Sequence, residues 1–337
     1  MKKITKSFFT AAALSFAALL TFSCSSLQGL MNVAPSLSMQ NIGIKGLDLE
    51  GITFNCNYTI TNPYPVAFSI KEVAGNLLCN GSAYANISTG QGISVAAMGS
   101  KTNSVNFKIP YDKIISLAKA TSSGVNAKSL PFTFDGKVSL DLSKVTSVSE
   151  QTLSLPFTKS FDVPVFKPSL SVANARVKIP TLNELKDTFV NSGMALTKAA
   201  SLATSIISGK GVSADLLDDV DINFDLLFDL DVASTGGAAW NFIVNNCSLQ
   251  SATGSTLADV SPVSASEISS NGKVAMKASL NTLKSATLIA QLLNKSGSNP
   301  KFVLDSGLSF PDLSYASKLP LAYTYELPLS SVSKASN

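Results

Sequence analysis

Histidine is absent from this sequence of 337 residues. Its absence excludes Ser-His-Asp and Cys-His catalysis, and it removes the commonest general base and the commonest metal-ligating side chain. The Gly-x-Ser-x-Gly, P-loop and Gly-x-Gly-x-x-Gly patterns, which would mark a catalytic serine or a nucleotide site, are absent as well. We therefore predict a protein that is not an enzyme, with no catalytic residue, no cofactor and no metal site.

Charged residues are also scarce, at 14% of the chain, and the polar positions are filled mostly by neutral side chains. The formal net charge of +4 includes Lys2, Lys3 and Lys6, which lie in a segment that we expect to be removed. Without them, 23 basic residues stand against 22 acidic ones. A chain so close to neutrality lacks the basic field that nucleic acids require, so we predict no nucleic-acid partner.

One long apolar run lies at the N-terminus. It extends from Phe8 to Phe22 after a basic start, which is typical of a secretory signal peptide and predicts one at residues 1–23. Beyond this segment no apolar stretch reaches the roughly 18 residues that a membrane span needs. We therefore expect the body of the protein to be soluble.

The residues that end this run indicate the type of signal. Leu20-Thr21-Phe22-Ser23-Cys24 resembles a bacterial lipobox, in which a small residue precedes a lipidated cysteine, although Thr21 stands where Leu is usual. On this interpretation Cys24 carries the lipid and residues 24–33 form a lipidated tether. The resemblance implies a lipid-anchored protein of the bacterial cell envelope. Because no Asp follows Cys24, it is similar to lipoproteins of the outer membrane, on its periplasmic or surface face. The alternative is an ordinary signal peptide cut near Ser23, with Cys24 incidental.

Three cysteines remain after Cys24, an odd number for an exported protein. Cys56 lies on the apolar side of an alternating stretch, which favours burial as a small hydrophobic side chain. A disulfide between Cys56 and Cys79 stays open as an alternative, because sequence alone does not fix its geometry. The spacings of these residues and Cys247 fit no zinc site.

The rest of the chain is organised around the stretch from Ile52 to Phe68. Its first part alternates apolar and polar residues, as a half-buried strand does, and then meets Asn62-Pro63-Tyr64-Pro65. Two prolines fix φ and remove backbone donors, so the chain must turn before the next strand near Phe68. This arrangement resembles the late embryogenesis abundant type 2 proteins, also called the WHy (water stress and hypersensitive response) domain family. The resemblance gives Asn62, Pro63 and Pro65 as the family's turn motif.

Four patterns of the first half recur in the same order in the second half, which predicts a duplicated domain. The matched ranges are 35–38 with 168–171, 52–60 with 222–230, 132–136 with 302–306, and 155–164 with 319–328. We predict an all-β fold of two tandem antiparallel β-sandwiches, at residues 34–164 and 165–329, followed by a C-terminal tail at 330–337. The resemblance implies an immunoglobulin-like or fibronectin III-like arrangement of about seven strands in each.

Each sandwich is also predicted to contain one short helix. In the first, Asp112 is expected to cap a helix over Lys113–Ala120, and in the second an apolar face from Leu283 to Leu293 ends at Gly297. The second copy departs from the family pattern, because Ser234-Thr235-Gly236-Gly237 replaces the proline-rich turn.

The second sandwich additionally carries a helical insertion at residues 180–217. Thr181 and Glu184 form a capping box at its start, and Asn191-Ser192-Gly193 divides it into two helices. Its wide apolar stripe is compatible with two roles. The insertion either closes over the sandwich as a lid or lipid-facing element, or simply packs on the second domain.

An acidic run follows this insertion and has two interpretations. Its carboxylates could hold calcium, but most of them fall on the polar side of an alternating strand, where exposure to solvent is the default. We favour the solvated face. The run consists of Asp215, Asp218, Asp219, Asp221, Asp225, Asp229 and Asp231.

The family resemblance implies a folded protein associated with desiccation or other stress. We expect a non-catalytic envelope lipoprotein with a binding or stress-protective role. Its expected partners are the membrane, through the N-terminal lipid, and either a lipid or an envelope protein. Two alternatives stay open: a carrier of lipid or another hydrophobic ligand, and a surface adhesin or assembly component.

Overall fold

A computed structural model describes residues 34–145, 151–209, 211–313, 316 and 318–335. The predicted signal peptide, Cys24 and the predicted tether lie outside these described residues. Within the described ranges most residues belong to β-strands, which form several sheets, and four α-helices interrupt them. The predicted all-β sandwich class is confirmed.

The N-terminal half contains seven strands and one described helix. The helix is α1 (Tyr111–Lys119), which connects β5 to β6. The strands are β1 (Ser36–Leu47), β2 (Gly51–Thr61), β3 (Phe68–Cys79), β4 (Ser82–Val95), β5 (Ser100–Pro110), β6 (Ser129–Asp141) and β7 (Thr152–Pro164).

The C-terminal half adds further strands and three described helices. The helices are α2 (Leu182–Asn191), α3 (Leu196–Ser208) and α4 (Thr282–Asn294). The strands are β8 (Lys167–Lys178), β9 (Asn223–Thr235), β10 (Asn241–Gln250), β11 (Thr256–Pro262), β12 (Glu267–Ile268), β13 (Gly272–Asn281), β14 (Lys301–Ser309), β15 (Leu319–Glu326) and β16 (Ser333–Lys334).

The two halves use their strands in a related order. The first half forms one sheet in the order β1-β2-β5 and another in the order β4-β3-β6-β7. The second half forms one sheet in the order β15-β14-β10-β11-β13-β9-β8-β16, with β12 paired to β10. When the two-residue strand β12 is left out of the count, the segments β8-β9-β13 and β11-β10-β14-β15 repeat the two orders of the first half.

The chain divides into two compact units. The first contains residues 34–43, Phe54–Phe107 and Pro131–Val163, and the second contains Ile44–Thr53, Lys108–Leu130 and the described residues from Pro164 onward. The domain boundaries at 34–164 and 165–329 stay a prediction.

The core of the first unit is built by alternation along β2, as predicted. Phe54, Cys56, Tyr58 and Ile60 all point inward and are fully buried. The ring of Phe54 lies 5.1 Å from Phe161 on β7. Since β2 and β7 belong to different sheets, this contact packs the two sheets face to face as a sandwich.

The core of the second unit forms where its sheet folds over itself. Phe228 on β9 and Phe302 on β14 are not on neighbouring strands, yet their rings pack edge to face at 5.0 Å. Helix α4 buries one broad face, which includes Ala286, Ile289 and Leu293, while Leu283 at its start is 57% exposed. The side chain of Asn281 caps its N-terminus by accepting the Leu283 amide proton, and the helix ends at Asn294, before the predicted Gly297.

The predicted cap of α1 is wrong. The helix begins at Tyr111 directly after Pro110, and no side chain caps it. The Tyr111 amide instead donates to the Glu50 carbonyl, so one of the free donors at the helix start is already satisfied. Asp112 lies inside the first turn, where a negative charge favours the helix dipole, and its carboxylate is 2.6 Å from Lys167 Nζ.

The helical prediction for the insertion is confirmed in its local details. Thr181 Oγ1 accepts the Glu184 amide proton and the Glu184 carboxylate accepts the Thr181 amide proton, which completes the capping box. Gly193, with a φ of 89°, separates α2 from α3. Gly209 ends α3 in the left-handed conformation.

The segment predicted as a C-terminal tail takes part in the sheet. Ser333 and Lys334 form β16, which pairs in parallel with Arg176 and Val177 of β8. Val332 is buried, so this segment also contributes to the core of the second unit.

Candidate functional site

The turn after β2 is built around a buried asparagine, Asn62, which is 1% exposed. Its Nδ2 donates to the carbonyl oxygens of Val66 and Ala96, both at 2.9 Å. Its Oδ1 accepts the amide proton of Tyr64 at 2.8 Å, and its own amide donates to the Gly99 carbonyl. Because both ends of the side-chain amide are satisfied inside the protein, Asn62 ties the turn to the loop between β4 and β5 and does not face a ligand.

The other residues of this motif support the same turn. Tyr64 is buried, and its ring packs edge to face against Phe68 at 6.4 Å. Burial raises the pKa of its hydroxyl. Pro63 is half-buried, and Pro65 is exposed. The geometry gives the motif a structural role. The prolines fix the backbone direction in the turn, and the hydrogen bonds of Asn62 hold the turn in place.

The three described cysteines are buried free thiols. Cys56 and Cys79 do not form the disulfide that the sequence left open. Burial raises the pKa of Cys56 to about 11, although Lys159 opposes the shift, and it raises the pKa of Cys247 to about 12 with a further contribution from Asp305. Thiols with such pKa values stay protonated at neutral pH and are poor nucleophiles.

The acidic residues on β9 are paired with neighbouring side chains. Asp225 accepts from the Ser279 hydroxyl at 3.0 Å, Asp229 accepts from Asn174 Nδ2 at 2.7 Å, and Asp231 lies 3.4 Å from Lys273 Nζ. Among the described residues, no group of three or more cysteine or acidic side chains could hold a metal ion. The part of the run that lies on β9 therefore forms a polar strand face.

Most of the apolar stripe of the helical insertion is buried. The buried set comprises Leu185, Phe189, Ala199, Leu202, Ala203 and Ile206. The segment after α3 is held by Asn294 of α4. The Asn294 Nδ2 donates to the Val212 carbonyl, and its Oδ1 accepts the Val212 amide proton. Leu196 stays 67% exposed at the start of α3. None of the helices in the described ranges is long and apolar enough to cross a membrane.

Open depressions lie on the outer faces of the sheets. In the first unit, a depression of about 550 Å³ is bordered by residues of β3, β4, β6 and β7, including Asn76, Asp135 and Pro156. In the second unit, one of about 450 Å³ is bordered by β10, β14 and β15, and includes Asp305, Gly307 and Pro320. The sequence did not indicate either depression, since each is assembled from strands that are distant along the chain.

A buried hydroxyl without a partner lies at the start of α1. Tyr111 is 1% exposed, its ring packs edge to face on Phe166 at 6.2 Å, and its hydroxyl makes no hydrogen bond to any described residue. Burial raises the pKa of this hydroxyl, and the negative charge of Asp48 adds to the shift. An unsatisfied buried polar atom reduces stability.

We expect Tyr111→Phe to leave the free energy of unfolding unchanged at neutral pH or to raise it by up to about 1 kcal/mol. Above pH 10 the free energy of unfolding of the variant should rise relative to that of the parent. The unfolded chain releases its tyrosine protons there while folded Tyr111 keeps its own, so the parent loses stability as pH rises. Urea unfolding at neutral and alkaline pH measures both effects. Tyr325→Phe, at a half-buried position, is the control, and a variant less stable than the parent at both pH values would contradict the geometry.

In comparisons with known proteins, a family matches part of the chain. The family described as late embryogenesis abundant protein matches residues 57–152. No curated protein matches the chain. Among solved structures, a late embryogenesis abundant protein studied in solution is 13% identical, with 46% of this chain and 87% of that chain covered and a TM-score of 0.31.

Two further solved structures show likeness at a similar level. A protein of Arabidopsis thaliana studied in solution is 16% identical, with 38% of this chain and 80% of that chain covered and a TM-score of 0.31. A crystal structure of a protein from Archaeoglobus fulgidus is 10% identical, with 38% of this chain and 97% of that chain covered and a TM-score of 0.30.

Proposed function

We propose, since residues 57–152 contain a late embryogenesis abundant type 2 domain, that this is a non-catalytic, stress-related protein anchored by Cys24 to the bacterial cell envelope. It acts by binding an envelope partner and thereby protects the cell during drying or similar stress. The family match carries the proposal, because membership suggests a stress-related role.

The chemistry of the described residues supports a role without catalysis. The chain has no histidine, the thiols of Cys56 and Cys247 are buried and have raised pKa values, and the acidic residues of β9 are paired. The packing supports binding at the surface rather than carriage of a ligand inside the first unit. Phe54, Phe107, Phe134 and Phe161 fill the space between its sheets, with ring centroids 5.1–5.9 Å apart.

We further propose that the two halves arose by duplication of one sandwich. The recurrence of the strand orders β1-β2-β5 and β4-β3-β6-β7 in the second half supports this, as do the four sequence patterns that recur in the same order. The WHy-type turn of the first copy has been replaced in the second by Ser234-Thr235-Gly236-Gly237.

A deletion strain tests the proposed role. Cells that lack the protein are expected to survive drying less well than the parent strain, and expression of the full chain should restore survival. Cys24→Ser should move the protein from the membrane fraction to the soluble fraction and restore survival poorly, because the lipid anchor is lost. Equal survival of the deletion strain and the parent would reject the stress role. Membrane association of the Cys24→Ser variant equal to that of the full chain would reject the anchor.

A further inference from the structure

Strand β4 forms an open edge of its sheet, because among the described residues it pairs with β3 alone. An end strand presents a row of backbone N–H and C=O groups without a partner, and proteins usually protect it with lysine or proline. The 14 residues of β4 include neither of these and no charged side chain. The other end strands of the described sheets all carry one of the two. These protecting residues are Lys45 on β1, Lys101 on β5, Pro156 on β7, Pro320 on β15 and Lys334 on β16.

The strand that corresponds to β4 in the second unit is covered. In the repeated strand order β11 takes the place of β4, and it pairs with β10 on one side and with β13 on the other. The contact with β13 extends from Val260 to Pro262. In the described part of the first unit, β4 and β5 belong to different sheets and make no such pair. The first unit therefore leaves open a backbone edge that the second unit closes.

The open edge has a regular central stretch, Ala85–Gly90, which pairs with Glu72–Leu77 of β3. The register of this pairing shifts at both ends of the stretch, and such bulges limit how far a further strand can follow the edge. Asn86 and Ser88 lie on one face and are exposed. Ile87 lies between them on the opposite face and is only half-buried. A strand laid along this stretch would cover the part of Ile87 that is still exposed.

We propose that β4 pairs with β4 of a second copy of this chain, in antiparallel direction and about a two-fold axis at Ile87. Side chains on one face of a sheet stay on that face across a new pair, so the register is restricted to every second residue. With the axis at Ile87, the two Ile87 side chains lie opposite each other, and Asn86 lies opposite Ser88 of the second copy. Such a two-fold contact uses the same surface on both copies, as most dimers do. It satisfies the open backbone groups and buries apolar surface of both isoleucines.

The side chains of this edge fit a second copy of themselves. The Ser88 hydroxyl donates to the Glu72 carboxylate at 2.5 Å, and its oxygen can still accept from the Asn86 amide of the second copy. Glu72 lies on β3, one strand away from the edge, so the Glu72 carboxylates of the two copies would be about 14 Å or more apart. Surface charges at that distance are largely screened. A charged strand of another protein, in contrast, would find no opposite charge on β4.

The regular pairing involves only a short stretch of each copy, so we expect a weak dimer with a Kd of about 10–100 µM. This association uses the first unit only. It goes beyond the proposed stress role, which would stand without it.

Sedimentation of the protein from Ser25 onward, over about 1–500 µM, tests the proposal. The average mass should rise from that of a monomer towards that of a dimer. The double variant Asn86→Lys with Ser88→Lys places lysine opposite lysine on the exposed face of the new pair, and it should weaken the dimer by about tenfold or more. The control is Thr158→Lys with Ser160→Lys, two exposed positions of the same spacing on β7, the other end strand of this sheet. It adds the same charge and should leave the dimer unchanged.

A crosslink identifies the surface directly. Facing Cα atoms of an antiparallel pair are about 4.5–5.5 Å apart, within the range that a disulfide spans, so Ile87→Cys should form a covalent dimer under mild oxidation. Ser160→Cys on β7 should stay monomeric, and the described native cysteines are buried. Thermal melts verify that the lysine variants are folded, and the crosslink decides if the β4 variant is not. The proposal is overturned if the protein stays monomeric over the whole range, if the two lysine variants dimerise equally, or if Ile87→Cys forms no covalent dimer.

Discussion

Replacing Asn62 with alanine is expected to lower the free energy of unfolding by about 3 kcal/mol. The change removes both donors to the Val66 and Ala96 carbonyls and the acceptor for the Tyr64 amide. Asn62 itself is 1% exposed, so water cannot readily replace these bonds, and each unsatisfied buried group costs about 1–3 kcal/mol. Urea unfolding of the protein from Ser25 onward measures the effect as a shift in midpoint at unchanged slope.

The matched control is Asn55→Ala on β2, the strand that leads into this turn. Asn55 faces outward, and its side-chain amide makes one exposed hydrogen bond, to Asn106 at 2.9 Å. We expect this change to cost less than about 0.5 kcal/mol, as is usual for surface positions. Equal losses for the two variants would mean that Asn62 does not hold the turn, and the role assigned to the motif would then be wrong.

The sequence predicted features that depend on neighbouring residues. The alternation in β2 indicated which residues are buried, because a strand turns its side chains to opposite faces with a period of two. The capping box of Thr181 and Glu184 indicated the start of α2, because its partners are three residues apart. These signals are local, and the fold preserves them.

Features that depend on distant partners could not be predicted in the same way. The pairing of Asp112 with Lys167 joins residues 55 positions apart, so the sequence alone suggested a helix cap instead. Asn62 was recognised as part of a turn, but its contact with Ala96 depends on the loop after β4. The depression beside Gly307 depends on still more distant partners, because Ile243 and Pro320 lie on either side of Gly307 only when β10 and β15 pair with β14.

Gly75→Ala is expected to destabilise the first unit by about 3 kcal/mol, through overpacking. Gly75 on β3 lies opposite Gly136 on β6. A Cβ atom at position 75 would lie 2.5 Å from the Asp135 carbonyl oxygen, 2.6 Å from the Gly136 Cα and 2.9 Å from the Phe134 ring. Two of these neighbours are backbone atoms, so the strands themselves would have to move apart.

The glycine pair also explains how the aromatic core fits under this sheet. Phe134 and Phe157 pack edge to face at 5.0 Å, and a Cβ atom at Gly136 would lie 2.8 Å from the Phe157 ring. Side chains at either glycine would therefore push these rings out of the space between the sheets. Because a core at native density has little room to adjust, the strain cannot relax locally.

Gly90→Ala on the adjacent strand β4 is the control for Gly75→Ala. A Cβ atom there would meet no atom within 4 Å, so the alanine should leave stability unchanged or raise it by about 0.5 kcal/mol through reduced freedom of the unfolded chain. The two substitutions are chemically identical, and the expected effects differ in sign. If Gly75→Ala proves as stable as Gly90→Ala in urea unfolding, β3 and β6 do not approach as closely as the geometry requires. The aromatic rings beneath them would then be loosely packed, and the interior of the first unit would not be filled.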